Sequence, residues 1–262
     1  MTLRFAAKLA LAAALVLPQA AVVIAAEQKP DIAIKTKAVE IKVTLDDAIR
    51  QNPALAANLL ADSKRWAEQN RADAEKEYKT SPEFFRDGRA WTFERAYTQQ
   101  SVVANRYVSV LRTMFIYTGG AHPNTDLNTI LWDDTAKKPI SIRPFFKELT
   151  DNGPTLTAMR RAIIASLKAE KKERGIDEPD DSWTSGVEPK LLRIGAVELA
   201  PSTEAGKSAG LVFNYSPYAV GSYAEGPYEA FVPWDVLKPY LTPEGVAIFG
   251  GNRPADAKPS RK

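Results

Sequence analysis

His122 is the only histidine among 262 residues, which makes it the scarcest chemistry-bearing group in the chain. It stands in the run Gly119-Gly120-Ala121-His122-Pro123. One imidazole can act as a general base or as a single metal ligand, but catalysis needs a partner group within hydrogen-bond reach. A metal site built on several histidines is excluded, and no H-E-x-x-H spacing occurs. No metal and no cofactor is therefore expected. A structural role follows more simply: the ring bonds a backbone carbonyl and stiffens the turn, while Pro123 fixes the exit.

Ser208 is the other candidate. Gly206-Lys207-Ser208-Ala209-Gly210 matches the G-x-S-x-G pattern of serine hydrolases. That nucleophile elbow needs a strand before the serine and a helix after it. Here the extended run Leu211-Val212-Phe213 follows, so the segment reads as a turn between strands. The catalytic alternative is a cell-wall or ester hydrolase that pairs His122 with a carboxylate or with Ser208. The adjacent acids Asp133-Asp134 and Asp180-Asp181 read as solvent-facing turn formers.

Phe213 to Trp234 concentrates a different kind of chemistry. Tyr215, Tyr218, Tyr223 and Tyr228 lie there, four of nine tyrosines in the chain, among three prolines and two glycines. Tyrosine buries a large ring and satisfies its hydroxyl locally, or it is displayed to bind a partner. Composition alone leaves both readings open.

The elements that must position these groups follow from periodicity. Val39, Ile41, Val43 and Leu45 alternate with polar residues, which predicts a half-buried strand. Asn52-Pro53 starts a helix running to about Lys79, and Ser81-Pro82 ends it. Trp91, Phe93 and Tyr97 share one parity. From Tyr107 to Tyr117 both parities are apolar, which predicts a central strand covered on both faces. Gly119-Gly120 breaks it. Ile130 and Trp132 open a further strand, and Asp133 to Pro139 forms a hairpin turn. A second helix follows Pro154, carrying Leu156, Met159, Ile163 and Leu167 at helical spacing. Its charged end, Lys168 to Arg174, reads as solvated. Residues 175–190 read as a long loop. Strands are predicted over Leu191 to Leu199, Leu211 to Tyr215 and Tyr228 to Val232, and Pro233 begins a short helix. The fold class is α+β, with mostly antiparallel sheet packed by two main helices.

The whole chain sets the compartment. Arg4 and Lys8 precede the apolar stretch Leu9 to Leu17, and small residues near Ala25 suit cleavage, so residues 1–25 read as a signal peptide. The stretch is too short to span a bilayer comfortably, where about 20 residues are usual. The expectation is export to a bacterial periplasm with no membrane association afterwards. There is no cysteine, so no disulfide holds the fold. The formal net charge is +3, of which Arg4 and Lys8 supply two. Nothing in that balance, and no basic stripe with interleaved aromatics, points to nucleic acid.

Two segments together resemble a known family. YTGGAHP leading into a strand and hairpin is one, and YAVGSYAEGPYEAFVPWDVL is the other. Both are similar to motifs of the exported module shared by the lysozyme-sensing anti-sigma factor RsiV and, as an accessory region, the peptidoglycan deacetylase PdaC. The resemblance spans about residues 32–249. It implies a PdaC-like N-terminal part over residues 26–150, an RsiV-like C-terminal part over residues 151–250 and a disordered tail over residues 251–262. The chain carries neither a sigma-binding region nor a deacetylase domain. The resemblance therefore implies a non-catalytic binding module of the cell envelope, with lysozyme or peptidoglycan as partner. Carried over residue by residue, Gly119, Gly120, Pro123, Gly226 and Pro233 become scaffold positions. Gly226 is then a turn glycine and Pro233 the first residue of a helix. Tyr218, Ser222, Tyr223 and Glu225, with His122, become the expected contact surface, and Glu225 would face a basic partner.

Overall fold

The computed structural model describes residues 29–176 and 181–257. The leader expected over residues 1–25 lies outside them. Alternation builds strand β2 (Val39–Leu45), whose four apolar side chains are fully buried. Strand β1 (Ile32–Lys35) pairs antiparallel with it at the sheet margin. Asp46 caps the short helix α1 (Asp47–Arg50) by accepting from the Ile49 N–H. Asn52 caps helix α2 (Pro53–Thr80) through Leu55, and Pro53 sits where a helix needs no N–H donor.

Helix α2 returns the chain so that β3 (Trp91–Val103) joins β2 in parallel. Strands β4 (Tyr107–Tyr117), β5 (Asn124–Asp133) and β6 (Lys138–Ile140) follow antiparallel, giving the order β1-β2-β3-β4-β5-β6. The helix covers one face through Leu55 and Leu59, packed on Val43, Leu45, Tyr97, Val110 and Trp132. Its buried Ser63 is satisfied by the Tyr97 hydroxyl at 2.8 Å. Strand β4 is covered on both faces only over its first half. Val108 and Val110 point to α2, while Tyr107 enters a second core with Phe145. From Leu111 onward the strand is half-buried.

That second core belongs to the C-terminal part. Helix α3 (Pro154–Glu173) packs Leu156, Met159, Ile163 and Leu167 on a small antiparallel sheet of β7 (Ala196–Leu199), β8 (Gly210–Tyr215) and β9 (Tyr228–Pro233). Helices α4 (Trp234–Leu237) and α5 (Pro243–Ile248) close it. The whole is α+β and mostly antiparallel, with one parallel pair in the large sheet.

Three hydroxyls join the sheets. Ser109 Oγ accepts from the Leu199 N–H at 3.0 Å, Ser101 Oγ donates to the Leu199 carbonyl at 2.6 Å, and Thr129 Oγ1 donates to the Val197 carbonyl at 2.8 Å. The outer backbone edge of β7 is thus satisfied by side chains of β3, β4 and β5, where a sheet would otherwise expose unpaired groups.

Three expectations are corrected. The strand foreseen from Leu191 begins at Ala196. The preceding residues form a turn, held because the Tyr215 hydroxyl takes the Ile194 carbonyl. Pro233 ends β9 and stands before α4; it is not the first helical residue. The loop expected after α3 is irregular over its described residues apart from a 3-10 turn (Ser182–Gly186), and it contributes Trp183 and Val187 to the core. The tail expected to be disordered is anchored over residues 251–257: the Trp234 indole donates to the Gly251 carbonyl at 3.0 Å, and Arg253 pairs with Glu229.

The hydroxyl joint makes a prediction. Ser109→Ala leaves the buried Leu199 N–H without its acceptor, at a cost of about 1–3 kcal/mol. Urea unfolding should show that loss at unchanged m, and a cost under about 0.5 kcal/mol would mean the joint is incidental.

Candidate functional site

The two motifs singled out by sequence meet in space. The turn after β4 carries Gly119, with φ 89°, Gly120, His122 and Pro123. The β8–β9 connection carries Tyr218, Ser222, Tyr223, Glu225 and Gly226. His122 stacks on Tyr223 with ring centroids 4.0 Å apart and planes 28° from parallel. Tyr218 lies 5.4 Å from Tyr223 and 6.3 Å from His122, completing a three-ring cluster.

Hydrogen bonds fix the cluster's polarity. The Pro123 carbonyl accepts from the Tyr223 hydroxyl at 2.7 Å and lies 2.9 Å from His122 Nδ1. A carbonyl can only accept, so Nδ1 carries the proton, and in the neutral ring Nε2 becomes an acceptor. The Tyr218 hydroxyl is placed to donate to it at 3.3 Å. His122 is exposed, and Tyr218 is 61% exposed in a left-handed conformation with φ 72°. A bulky residue at positive φ is strained. The fold gains little from an aromatic side chain at this place, because the ring is mostly in water.

Ser208 does not join His122. It is fully buried, and its hydroxyl donates to the Gly210 carbonyl within its own turn. Among the described residues no carboxylate bonds to His122, and no group of three or more His, Cys, Asp or Glu could hold a metal ion. Among them, too, no helix is long and apolar enough to cross a membrane.

Glu225 departs from its expected role. It does not face outward: its side chain is only 12% exposed and accepts from Lys171 Nζ at 2.8 Å, the Tyr228 hydroxyl at 2.5 Å and the Ser222 N–H at 2.6 Å. Burial alone would raise its pKa, but the bonds from Lys171, Tyr228 and Ser222 more than reverse that and hold it at about 2. Ser222, though exposed, serves the capping box that starts the 3-10 turn Tyr223–Glu225. Gly226 ends that turn at φ 73°, the turn glycine expected. Gly221 leaves the room for the carboxylate, since a Cβ there would lie 2.5 Å from Glu225 Oε2.

The end of α3 is also not merely solvated. Lys171 is buried, with its ammonium 4.7 Å from the Tyr228 ring centroid. Arg174 donates to the carbonyls of Glu225 and Pro227 at 2.7 and 2.9 Å. The helix end therefore clasps the tyrosine connection from below, and Tyr218 and Tyr223 are left above it. Beside them Ser216 and Ala219 border a cleft of about 480 Å³ between the sheets, with Thr129 and Ile140 on one wall and Val197 and Tyr215 on the other. Sequence reasoning missed Lys171, Arg174 and Gly221; the basic run at the end of α3 was the signal for the two cations, and nothing local marked Gly221.

Residues 147–235 match a protein family described as "Protein of unknown function (DUF3298)". A solved DUF3298-family structure from Bacteroides fragilis NCTC 9343 is similar over 72% of this chain and 71% of that one, at 18% identity and a TM-score of 0.50. It shows a shared fold. Another, from Pseudomonas aeruginosa PAO1, is similar over 82% of this chain and 88% of that one, at 15% identity and a TM-score of 0.47. No curated protein matches this chain.

The Glu225 anchor makes a prediction. Its pKa lies below the ordinary 4.5, so its stabilisation is present above about pH 4.5 and lost as pH falls toward 2. Glu225→Gln removes the carboxylate that meets buried Lys171, the Tyr228 hydroxyl and the Ser222 N–H, and should cost about 3 kcal/mol at neutral pH. Denaturant titrations should show that penalty shrinking toward zero near pH 2. A pH-independent penalty would assign the loss to packing.

Proposed function

We propose that this protein is an exported, non-catalytic binding module of the bacterial envelope, and that the His122–Tyr218–Tyr223 cluster is its contact surface. The observation that carries the reading is Tyr218: a large ring, 61% exposed, kept at positive φ where glycine would sit without strain. Strain of about 1–3 kcal/mol at a displayed aromatic is what a recognition site retains against stability. Tyrosine offers rigid contact area at low entropic cost, and stacking on His122 and Tyr223 restricts the ring further. The resemblance to the RsiV and PdaC modules supplies the partner class, a lysozyme-type muramidase or peptidoglycan, and the leader-like N-terminus supports the periplasm. With Glu225 turned inward, the surface is aromatic and near-neutral, so shape and ring stacking would select the partner in place of an acidic patch.

Titration of the protein with lysozyme, and co-sedimentation with insoluble peptidoglycan, test this reading. Binding to one of the two is expected. Tyr218→Gly should weaken it by about 30-fold, corresponding to roughly 2 kcal/mol for a central aromatic contact. The same variant should be no less stable than wild type by more than about 1 kcal/mol, because the backbone strain is relieved. No binding to either probe at tens of micromolar, or full binding by Tyr218→Gly, would sink the proposal.

A further inference from the structure

The cleft beside the ring cluster is a second concave feature of the joint. Strand β5 and the end of β6 form one wall, the start of β7 and Tyr215 of β8 the other, and it encloses about 480 Å³. Sites for small ligands usually measure roughly 300–1,000 Å³. Among the described residues that line it only Arg193 is charged, and Glu188 pairs with it at 2.7 Å. An extended peptide fits poorly. The Leu127 and Thr129 N–H groups on the β5 edge, which an added strand would need, are already taken by Ser216 Oγ at 2.9 Å and Asn128 Oδ1 at 2.8 Å. Two side-chain amides supply donors instead. Asn128 spends its oxygen on Thr129 and keeps its amide hydrogens. Asn214, which pairs with the small Ala196 of β7, lines the cleft at 7% exposure, and its Nδ2 has no hydrogen-bond partner. The Glu198 carboxyl lies close enough to feel that amide, yet Glu198 Oε2 is left unbonded too. A buried donor left unmet is costly, and a carbonyl entering the cleft would meet it. Ile140, Leu191 and Val197 add apolar wall, and Leu192 stands at the rim, 96% exposed.

We propose that this cleft binds an uncharged N-acetylated sugar unit of a glycan strand, with Asn214 donating to the acetamido carbonyl. The inference rests on the peptidoglycan half of the function proposed above and narrows it to the glycan, as distinct from the stem peptide. Charge argues first. A stem peptide carries carboxylates and ammonium groups, and the cleft offers no uncommitted charge to meet them. Shape and polarity argue next. An acetamido group presents a strong carbonyl acceptor for the Asn214 amide and a methyl for the wall of Ile140, Leu191 and Val197, and a bare hydroxyl matches neither as well. The ring cluster then extends the site. Ser216 and Ala219 border the cleft, and Tyr218 between them displays a ring on which the next sugar along the strand can stack.

Proton–nitrogen spectra of the protein titrated with chitotriose, the soluble trimer of N-acetylglucosamine, test this, with cellotriose as the trimer that lacks acetamido groups. The Asn214 side-chain amide and the Gly195 backbone amide should shift saturably, with a Kd of about 1 mM or tighter, and cellotriose should bind at least about 10-fold more weakly. Ser141→Trp, at an exposed position on the cleft wall, should weaken chitotriose about 10-fold while its Tm stays within about 3 °C of wild type. Asn214→Leu should lower the affinity by a similar factor; should it fail to fold, the wild-type Asn214 shifts and Ser141→Trp decide. No Asn214 shift by about 10 mM chitotriose, an equal response to cellotriose, or unchanged binding by Ser141→Trp overturns the cleft. The two readings fail separately. Tyr218-dependent co-sedimentation with peptidoglycan but no Asn214 shift overturns the cleft and keeps the ring surface. An Asn214 shift that saturates identically in Tyr218→Gly, with co-sedimentation also unchanged, supports the cleft and overturns the ring surface.

Discussion

Everything functional in this fold depends on the joint between its two sheets. The outer edge of β7 offers backbone donors and acceptors that no neighbouring strand meets, and Ser101, Ser109 and Thr129 supply the missing partners from the large sheet. Hydroxyls suit this task because each is short, directional and able to donate or accept as the geometry requires. The joint sets where the small sheet stands, and with it where the β8–β9 connection falls. Ser216 extends the same logic just past β8, accepting from the Leu127 N–H and donating to Asp126. The ring cluster then forms across the joint: His122 comes from the large sheet, and Tyr218 and Tyr223 from the small one. Neither motif could assemble it alone.

Charge is used inward in this region. Lys171 and Glu225 pair in near-burial, and Tyr228 and Ser222 meet the remaining carboxylate lone pairs. A buried pair offsets its desolvation only when such additional bonds are present. The result is a rigid floor under an aromatic surface, with Arg174 fastening the backbone at Glu225 and Pro227. Rigidity matters for recognition because a held ring loses less freedom on binding than a free one. The same floor explains how the strained Tyr218 backbone persists: the segment on either side is over-determined by bonds to Lys171, Arg174, Pro123 and Asp126.

The sequence disclosed what depends on local periodicity. The alternation of β2, the cap and proline that open α2, the double-sided apolarity of early β4 and the spacing in α3 all lie within a few residues of each other and survive into the fold. The apolar far half of β4 misled, because coverage there depends on how far the small sheet reaches. Strand β5 begins at Asn124, six residues before its first predicted hydrophobic, because its early part is half-buried and polar residues suffice. Glu225 misled for a sharper reason: its partner Lys171 lies 54 residues away, and no local pattern announces such a pair. The ring cluster was half legible. Both motifs were visible, but His122 and Tyr218 are 96 residues apart, and their contact is a property of the sheet joint.

The two faces of β9 hold different contacts. Tyr228 of β9 points into the core and bonds Glu225, while its neighbour Glu229 points outward to Arg253. Adjacent strand residues face opposite sides, so the Glu229–Arg253 pair is separated from the anchor beneath the ring cluster by the sheet itself. Direct electrostatic coupling between them is therefore weak compared with what each group feels from its own bonded partners. Any communication would have to pass through the backbone of β9, which is hydrogen-bonded to β8 along its whole length and tied to α3 where Ser166 accepts from the Phe231 N–H. A strand held in that way transmits displacement poorly unless the sheet moves as a body, and the hydroxyl joint opposes such movement. The architecture thus holds the floor of the ring cluster apart from the contacts that fasten residues 251–257 on the opposite face.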